Sequence, residues 1–195
     1  CYAGVDLAAT SDLTAVAYLV VQDGTYYFKT HYYLPESALK DKADKELYKY
    51  WKQQGYLTVT SGNVTDYDYI TADMLRYADV VNIQSVGYDK YNATQWAIDS
   101  TEQGLPLEEY PQTLGNFNMP TRELERLILS GKAVIDNNEI NRYCFRNVTL
   151  KSDYNGNVKP NKAVDKKKID GTIAMIQALG MYLRNPRFSN EIITI

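Results

Sequence analysis

Apolar and polar positions repeat with two distinct periods along the chain, and the switch between them lays out the elements. Residues 2–8 and 13–21 are apolar runs that read as strands. Asp23-Gly24 follows the second run. It is a two-residue hairpin signal, because both residue types tolerate the left-handed backbone of a tight primed turn. Residues 25–34 then alternate aromatic and polar side chains, as a half-exposed strand does, and Pro35 ends them. The first 34 residues therefore predict an antiparallel meander.

Beyond the meander the helical period takes over. Residues 45–54 carry Leu47, Tyr50 and Trp51 at helical spacing, and residues 66–81 place Tyr69, Ile70, Asp73, Leu75 and Tyr77 around a second helix. Short strands are predicted at 57–60, 85–88, 105–110 and 133–135. A helix capped by Asn92 or Thr94 runs to Gln103 and stops at Gly104. Another opens at Thr121, continues through Glu123, Leu124, Leu127 and Ile128, and ends at Gly131. Residues 138–145 read as a shorter helix, and 148–151 with 158–159 flank a second hairpin signal, Asn155-Gly156. A long apolar helix over 168–183 stops before Pro186. An antiparallel start followed by strand–helix alternation predicts an α/β fold, with a mixed central sheet and helices on both faces. No Pro-, Gly- or Ser-rich linker divides it, so one domain is expected over 1–195.

Composition narrows the classes. At 195 residues and 45% apolar content the chain can fill a sizeable core. Its 21 basic and 24 acidic residues leave a net charge of −3, which excludes disorder by charge excess and a polycationic nucleic-acid coat. No stretch of about 18 uncharged apolar residues offers a membrane span, and no signal peptide is visible. Two cysteines and one histidine exclude a disulfide framework and a Cys/His zinc cluster, and point to a reducing compartment. The chain opens at Cys1 and enters an apolar run almost at once, so it reads as a piece of a longer protein. The 18 tyrosines suit half-buried strand faces with wet hydroxyls better than a stacking surface for bases. His31 falls in an alternating strand, where packing or surface placement accounts for it.

Most catalytic templates are missing. There is neither a G-x-x-x-x-G-K-[ST] loop nor a G-x-G-x-x-G turn, and one histidine makes a nucleophilic triad implausible. Three aspartates stand out instead. Asp6 interrupts the first strand, Asp89 ends the strand 85–88, and Asp170 opens the last helix. Asp is unfavoured in strands, and burying its charge without compensation is expensive. Neighbouring strand ends with a helix packed across them can bring all three together. Converging carboxylates need a cation, and hard oxygen ligands suit Mg²⁺ or Mn²⁺. One or two such ions would serve phosphodiester hydrolysis.

These residues carry a resemblance. Gly4-Val5-Asp6-Leu7-Ala8 followed by Thr10-Ser11-Asp12-Leu13-Thr14-Ala15 resembles the first nuclease motif of tailed-phage terminase large subunits. Gly87-Tyr88-Asp89-Lys90-Tyr91-Asn92-Ala93 is similar to the second, and Lys168-Ile169-Asp170-Gly171-Thr172-Ile173-Ala174 to the third. The resemblance runs over about residues 2–183 and includes Asn116-Phe117-Asn118-Met119-Pro120-Thr121. It implies a ribonuclease H-like nuclease that cuts double-stranded viral DNA during genome packaging, with Asp6, Asp89 and Asp170 as catalytic metal ligands. It also implies a packaging ATPase N-terminal to this segment, small terminase and portal proteins as partners, and the bacterial host cytoplasm as the location. Asp12 lies in the first motif but in the following turn, where a turn or strand-start role competes with metal contact.

The segment 142–168 holds eight basic residues against Asp153 and Asp165, so it is +6 inside a chain of −3. It leads directly into Asp170. Lys162, Lys166, Lys167 and Lys168 are therefore the candidate contacts to DNA phosphates, with no base-reading motif beside them. The sequons at Asn63, Asn92 and Asn147 have no secretory context. Three rivals remain open: a non-catalytic DNA-binding or packaging-assembly module on the same fold, an actin-like or sugar-kinase ATPase half, and another ribonuclease H-like enzyme such as a junction resolvase.

Overall fold

A computed structural model describes residues 1–8, 10, 12–40, 44–91, 93–164 and 167–185. The meander forms as β1 (Tyr2–Asp6), β2 (Thr14–Gln22) and β3 (Thr25–Pro35), paired antiparallel in order. Asp23 and Gly24 both adopt positive φ, 50° and 75°, as the two-residue turn requires. A 3-10 turn over Glu36–Lys40, unmarked in the sequence pattern, leads toward α1 (Lys45–Gln53). The chain continues through β4 (Thr58–Thr60), α2 (Tyr67–Ala78), β5 (Ser85–Tyr88), α3 (Thr94–Glu102) and β6 (Leu107–Glu109). It ends with α4 (Leu114–Leu129), β7 (Ala133–Ile135), α5 (Glu139–Arg146), the hairpin β8 (Val148–Ser152) and β9 (Val158–Lys162), and α6 (Asp170–Arg184).

The main sheet has the order β4-β3-β2-β1-β5-β6, with β7 also on β3. β5 is parallel to β1, and β6 is parallel to β5. The C-terminal ends of β1, β5 and β6 therefore share one edge of the sheet.

Strand alternation divides the core in two. Ala15, Ala17 and Leu19 face a cluster with α1, α4, α5 and α6, whereas Val16 and Tyr18 face α2 and α3. Helix α6 is buried along Asp170–Tyr182, lying between the sheet and helices α4 and α5, which explains its all-round apolar sequence. Small residues let it lie close. Gly4 on β1 faces Ala174 and Ala178, and Gly87 on β5 faces Met181.

Helices α2, α5 and α6 start one or two residues later than the sequence pattern predicts, while α4 and α3 differ in how they begin. Helix α4 begins at Leu114, seven residues before Thr121, and carries Pro120 inside it. A proline reads naturally as a first-turn residue, because it cannot donate to the carbonyl four residues back. Here that carbonyl belongs to Asn116, and it accepts from the Tyr110 hydroxyl at 2.7 Å. The external donor allows the helix to run through the proline. Helix α3 has Ala93 before its first turn and no side-chain cap, so Thr94 does not cap it, and Asn92 lies outside the described residues.

Many of the tyrosines are core residues, among them Tyr18, Tyr32 and Tyr33, while Tyr91 and Tyr154 are exposed. His31 is a packing residue, edge-on to the Tyr18 and Tyr77 rings, with Nδ1 at 3.0 Å from Asp73 Oδ2. Asp73 also accepts from Tyr33 and from Arg76. Hydrogen bonding from His31 holds its carboxyl below the usual range, so the stability it contributes is present above about pH 4 and fades on acidification. Burial pushes the Cys144 thiol up to about 12, leaving it a packed, unreactive group.

Candidate metal centre

Asp6 is the last residue of β1, and Asp89 directly follows β5. Because Val5 pairs in parallel register with Tyr88, the two aspartates leave adjacent strand ends together. Asp170 is the first residue of α6, the helix that crosses β1. Sheet direction and helix packing thus deliver three carboxylates from distant sequence positions to one edge.

Their electrostatics show the proximity. Burial pushes the Asp6 carboxyl well above the usual carboxylate range, and the charges of Asp170 and then Asp89 push in the same direction. A hydrogen bond from Gln112 and the charge of Lys162 oppose this rise. Burial also raises Asp170, against the backbone N–H groups at its helix start and the charges of Lys162 and Lys168. Asp170 is 7% exposed, and its Oδ2 is buried without a hydrogen-bond partner among the described residues. A buried carboxylate oxygen left bare is costly unless a cation serves it.

Asp89 is the most constrained of the three. Its Oδ1 accepts from the Tyr91 N–H and its Oδ2 from the Gln112 N–H, both at 2.9 Å. Among the described residues no three His, Cys, Asp or Glu side chains already close into a metal-binding group.

The lysines fall into different roles. Lys168 is largely buried and ion-paired with Asp12, which also lies 3.8 Å from Lys162. Asp12 therefore faces the basic side of the site. Lys167 lies over the Tyr143 ring at 5.7 Å from its centroid. Lys166 and Asp165 fall outside the described residues. The β8–β9 hairpin rests on α4, where Arg122 donates to the Gly156 carbonyl and the Val158 N–H to Asn118. A cavity of about 400 Å³ opens elsewhere, in the gap between β4 and β7 along the edge of β3 away from β2, beside His31, Asp73 and Asp136. None of the three aspartates lines it.

Gln112 was not marked by the sequence reading. A signal existed: it follows β6, and a loop after a strand parallel to β1 and β5 must emerge at the same edge.

The family described as "Terminase large subunit, endonuclease domain" matches residues 1–185. The chain belongs to this terminase nuclease family. It is 29% identical over 184 residues to the large subunit terminase of Enterobacteria phage HK97, covering 92% of this chain and 36% of that protein. It is 31% identical to protein YmfN of Escherichia coli K12 over 98% of this chain and 46% of that protein. The crystal structure of the HK97 bacteriophage large terminase superposes with a TM-score of 0.84 at 29% identity, covering 92% of this chain and 39% of that one. The large terminase nuclease of thermophilic phage G20c, solved with bound magnesium, has a TM-score of 0.61 at 13% identity, over 91% of this chain and 79% of that one. At that identity the likeness is one of fold. The terminase nuclease fold is thus ribonuclease H-like, as the motifs implied. This chain spans between 35% and 46% of the length of the curated relatives it matches. None of its described helices is long and apolar enough to cross a membrane.

Proposed function

We propose that this terminase nuclease chain is a divalent-metal-dependent endonuclease that hydrolyses phosphodiester bonds of double-stranded viral DNA during packaging. The observation that carries the reading is the bare, buried Oδ2 of Asp170 beside the raised carboxyl of Asp6 at the ends of adjacent elements. This donor set is all oxygen and anionic, which fits Mg²⁺ or Mn²⁺. Asp6, Asp89 and Asp170 would hold one or two ions. Bound there, such ions supply an activated water and neutralise charge developing on the scissile phosphate.

The protein's own contribution is placement. Asp6 and Asp89 are fixed by strand pairing, and Asp170 by the buried helix behind them. Lys162, whose charge both Asp6 and Asp170 feel, is the lysine we expect to meet a phosphate. Lys168 is held by Asp12, and to contact DNA it would exchange that partner for a phosphate oxygen. In the complete protein we place an N-terminal packaging ATPase before this segment, with small terminase and portal proteins as partners in the host cytoplasm.

Supercoiled plasmid incubated with Mn²⁺ or Mg²⁺ should convert to nicked and linear forms, and EDTA should stop the conversion. Binding without cleavage in either metal would leave a DNA-binding module instead. Phosphate contact should also appear as a salt effect. The double variant Lys162→Ala/Lys167→Ala should bind a short duplex more weakly in Ca²⁺, and its slope of log affinity against log salt should fall by about two. Equal slopes for parent and variant would move the DNA path away from these lysines.

A further inference from the structure

Gln112 touches both strand-end aspartates. Its backbone N–H donates to Asp89 Oδ2 at 2.9 Å, and its side-chain Nε2 donates to Asp6 Oδ1 at 3.0 Å. Its carbonyl accepts from Lys159 Nζ at 3.2 Å, so the residue is itself anchored to β9. The loop that carries it is short and restrained on both sides. It leaves β6 at Glu109, and the Tyr110 N–H returns a hydrogen bond to the Tyr88 carbonyl beside Asp89. Beyond it, Thr113 caps α4 by accepting from the Asn116 N–H.

We propose that Gln112 is a positioning residue, which fixes the orientation and separation of the Asp6 and Asp89 carboxylates for a shared divalent cation. The inference rests on the metal reading above. A carboxylate at a strand end has two soft side-chain torsions, and ordering them on metal binding costs free energy. A donor that orders them beforehand removes that cost. The amide is suited to the task because it donates without adding charge. A carboxylate in its place would crowd a fourth negative group onto three. The contact engages Oδ1 of Asp6 and leaves its Oδ2 outside the Gln112 bond. Partners that orient metal ligands from behind are typically worth about 10–100-fold in metal affinity.

The test separates the two bonds that Gln112 makes. Gln112→Ala and Gln112→Met both remove the donor to Asp6 and keep the backbone N–H to Asp89, and Met also keeps the side-chain length. Gln112 is partly exposed, so neither change opens a cavity in the core. Titration of the 195-residue chain with Mn²⁺, followed by calorimetry, should show both variants binding about tenfold more weakly than the parent. Loss of the donor to buried Asp6 should lower their melting temperatures in EDTA slightly and equally, whereas a merely structural role for Gln112 would lower the melting temperature and leave the Mn²⁺ affinity of the folded chain unchanged. Parent and variants binding Mn²⁺ equally tightly would overturn this inference and leave the metal reading standing. No Mn²⁺ binding by the parent would overturn the metal reading and this inference with it.

Discussion

Asp6→Asn is expected to abolish DNA cleavage while leaving the fold intact. The substitution keeps the shape of the side chain and its place at the end of β1, and removes the charge. Metal coordination supplies several kcal/mol of transition-state stabilisation, and each 1.4 kcal/mol is tenfold, so the loss should reach about three decades or more. Stability should move in the opposite direction when metal is absent. Asp6 is raised well above the usual carboxylate range by burial and by Asp170, so keeping it ionised costs folding free energy at neutral pH. A group whose folded value is raised destabilises progressively as pH rises from its unfolded value through its folded one. The Asn variant should therefore melt a few degrees above the parent in EDTA at pH 8, and the gap should close as the pH falls below about 4, where folded and unfolded Asp6 both become protonated. Adding Mn²⁺ should stabilise the parent and not the variant, because a ligand stabilises only the state that binds it. Undiminished nicking by the variant with metal present would put the active site elsewhere. A variant that melts below the parent in EDTA would show that Asp6 is not under charge stress.

Much of this arrangement was legible in the sequence because its signals are local. The Asp23-Gly24 turn and the alternation of β3 define the meander, and the acidic interruptions at Asp6, Asp89 and Asp170 single out the candidate metal ligands. What was not legible depends on contacts between distant segments. The sequence pattern opens α4 only at Thr121, after Pro120, because the donor that satisfies the Asn116 carbonyl comes from Tyr110, outside the helix. Gln112 has no local signature, since its role comes from the shared direction of β1, β5 and β6. The basic segment 142–168 was visible as charge. Its division into a buried Lys168 paired with Asp12, a Lys159 tied to Gln112 and a Lys162 near the aspartates is a tertiary property. Net charge identifies a candidate nucleic-acid face, but it does not say which lysines are already occupied.

Gly4→Ala should be among the most destabilising single changes in the chain, although Gly4 lies in a strand and touches no ligand. A Cβ at Gly4 would run into the Ala174 carbonyl oxygen and would lie 2.5 Å from the Ala178 backbone nitrogen and 2.7 Å from Gln177 Cβ. These are mainly backbone atoms of α6, which has no rotamer to yield and is packed on its other side by α4 and α5. Relief requires the whole helix to lift from β1. Overpacking usually costs about 1–3 kcal/mol, and backbone clashes of this kind belong at or beyond the upper end. For a domain of this size, about 3 kcal/mol corresponds to a fall in melting temperature of roughly 6–12 °C. Gly87→Ala is the matched control on the neighbouring strand. Its Cβ would meet mainly the Met181 side chain, at 2.8 Å and 2.9 Å, and a flexible thioether can move aside. It should cost about 1 kcal/mol. The helix that Gly4 seats also carries Asp170, so lifting it draws that carboxylate away from Asp6. Below its melting temperature, Gly4→Ala should consequently bind Mn²⁺ more weakly than the parent, whereas Gly87→Ala should not. Equal melting temperatures for the two variants would mean that α6 has room to spare over β1, and that close helix–strand contact does not hold the three aspartates together.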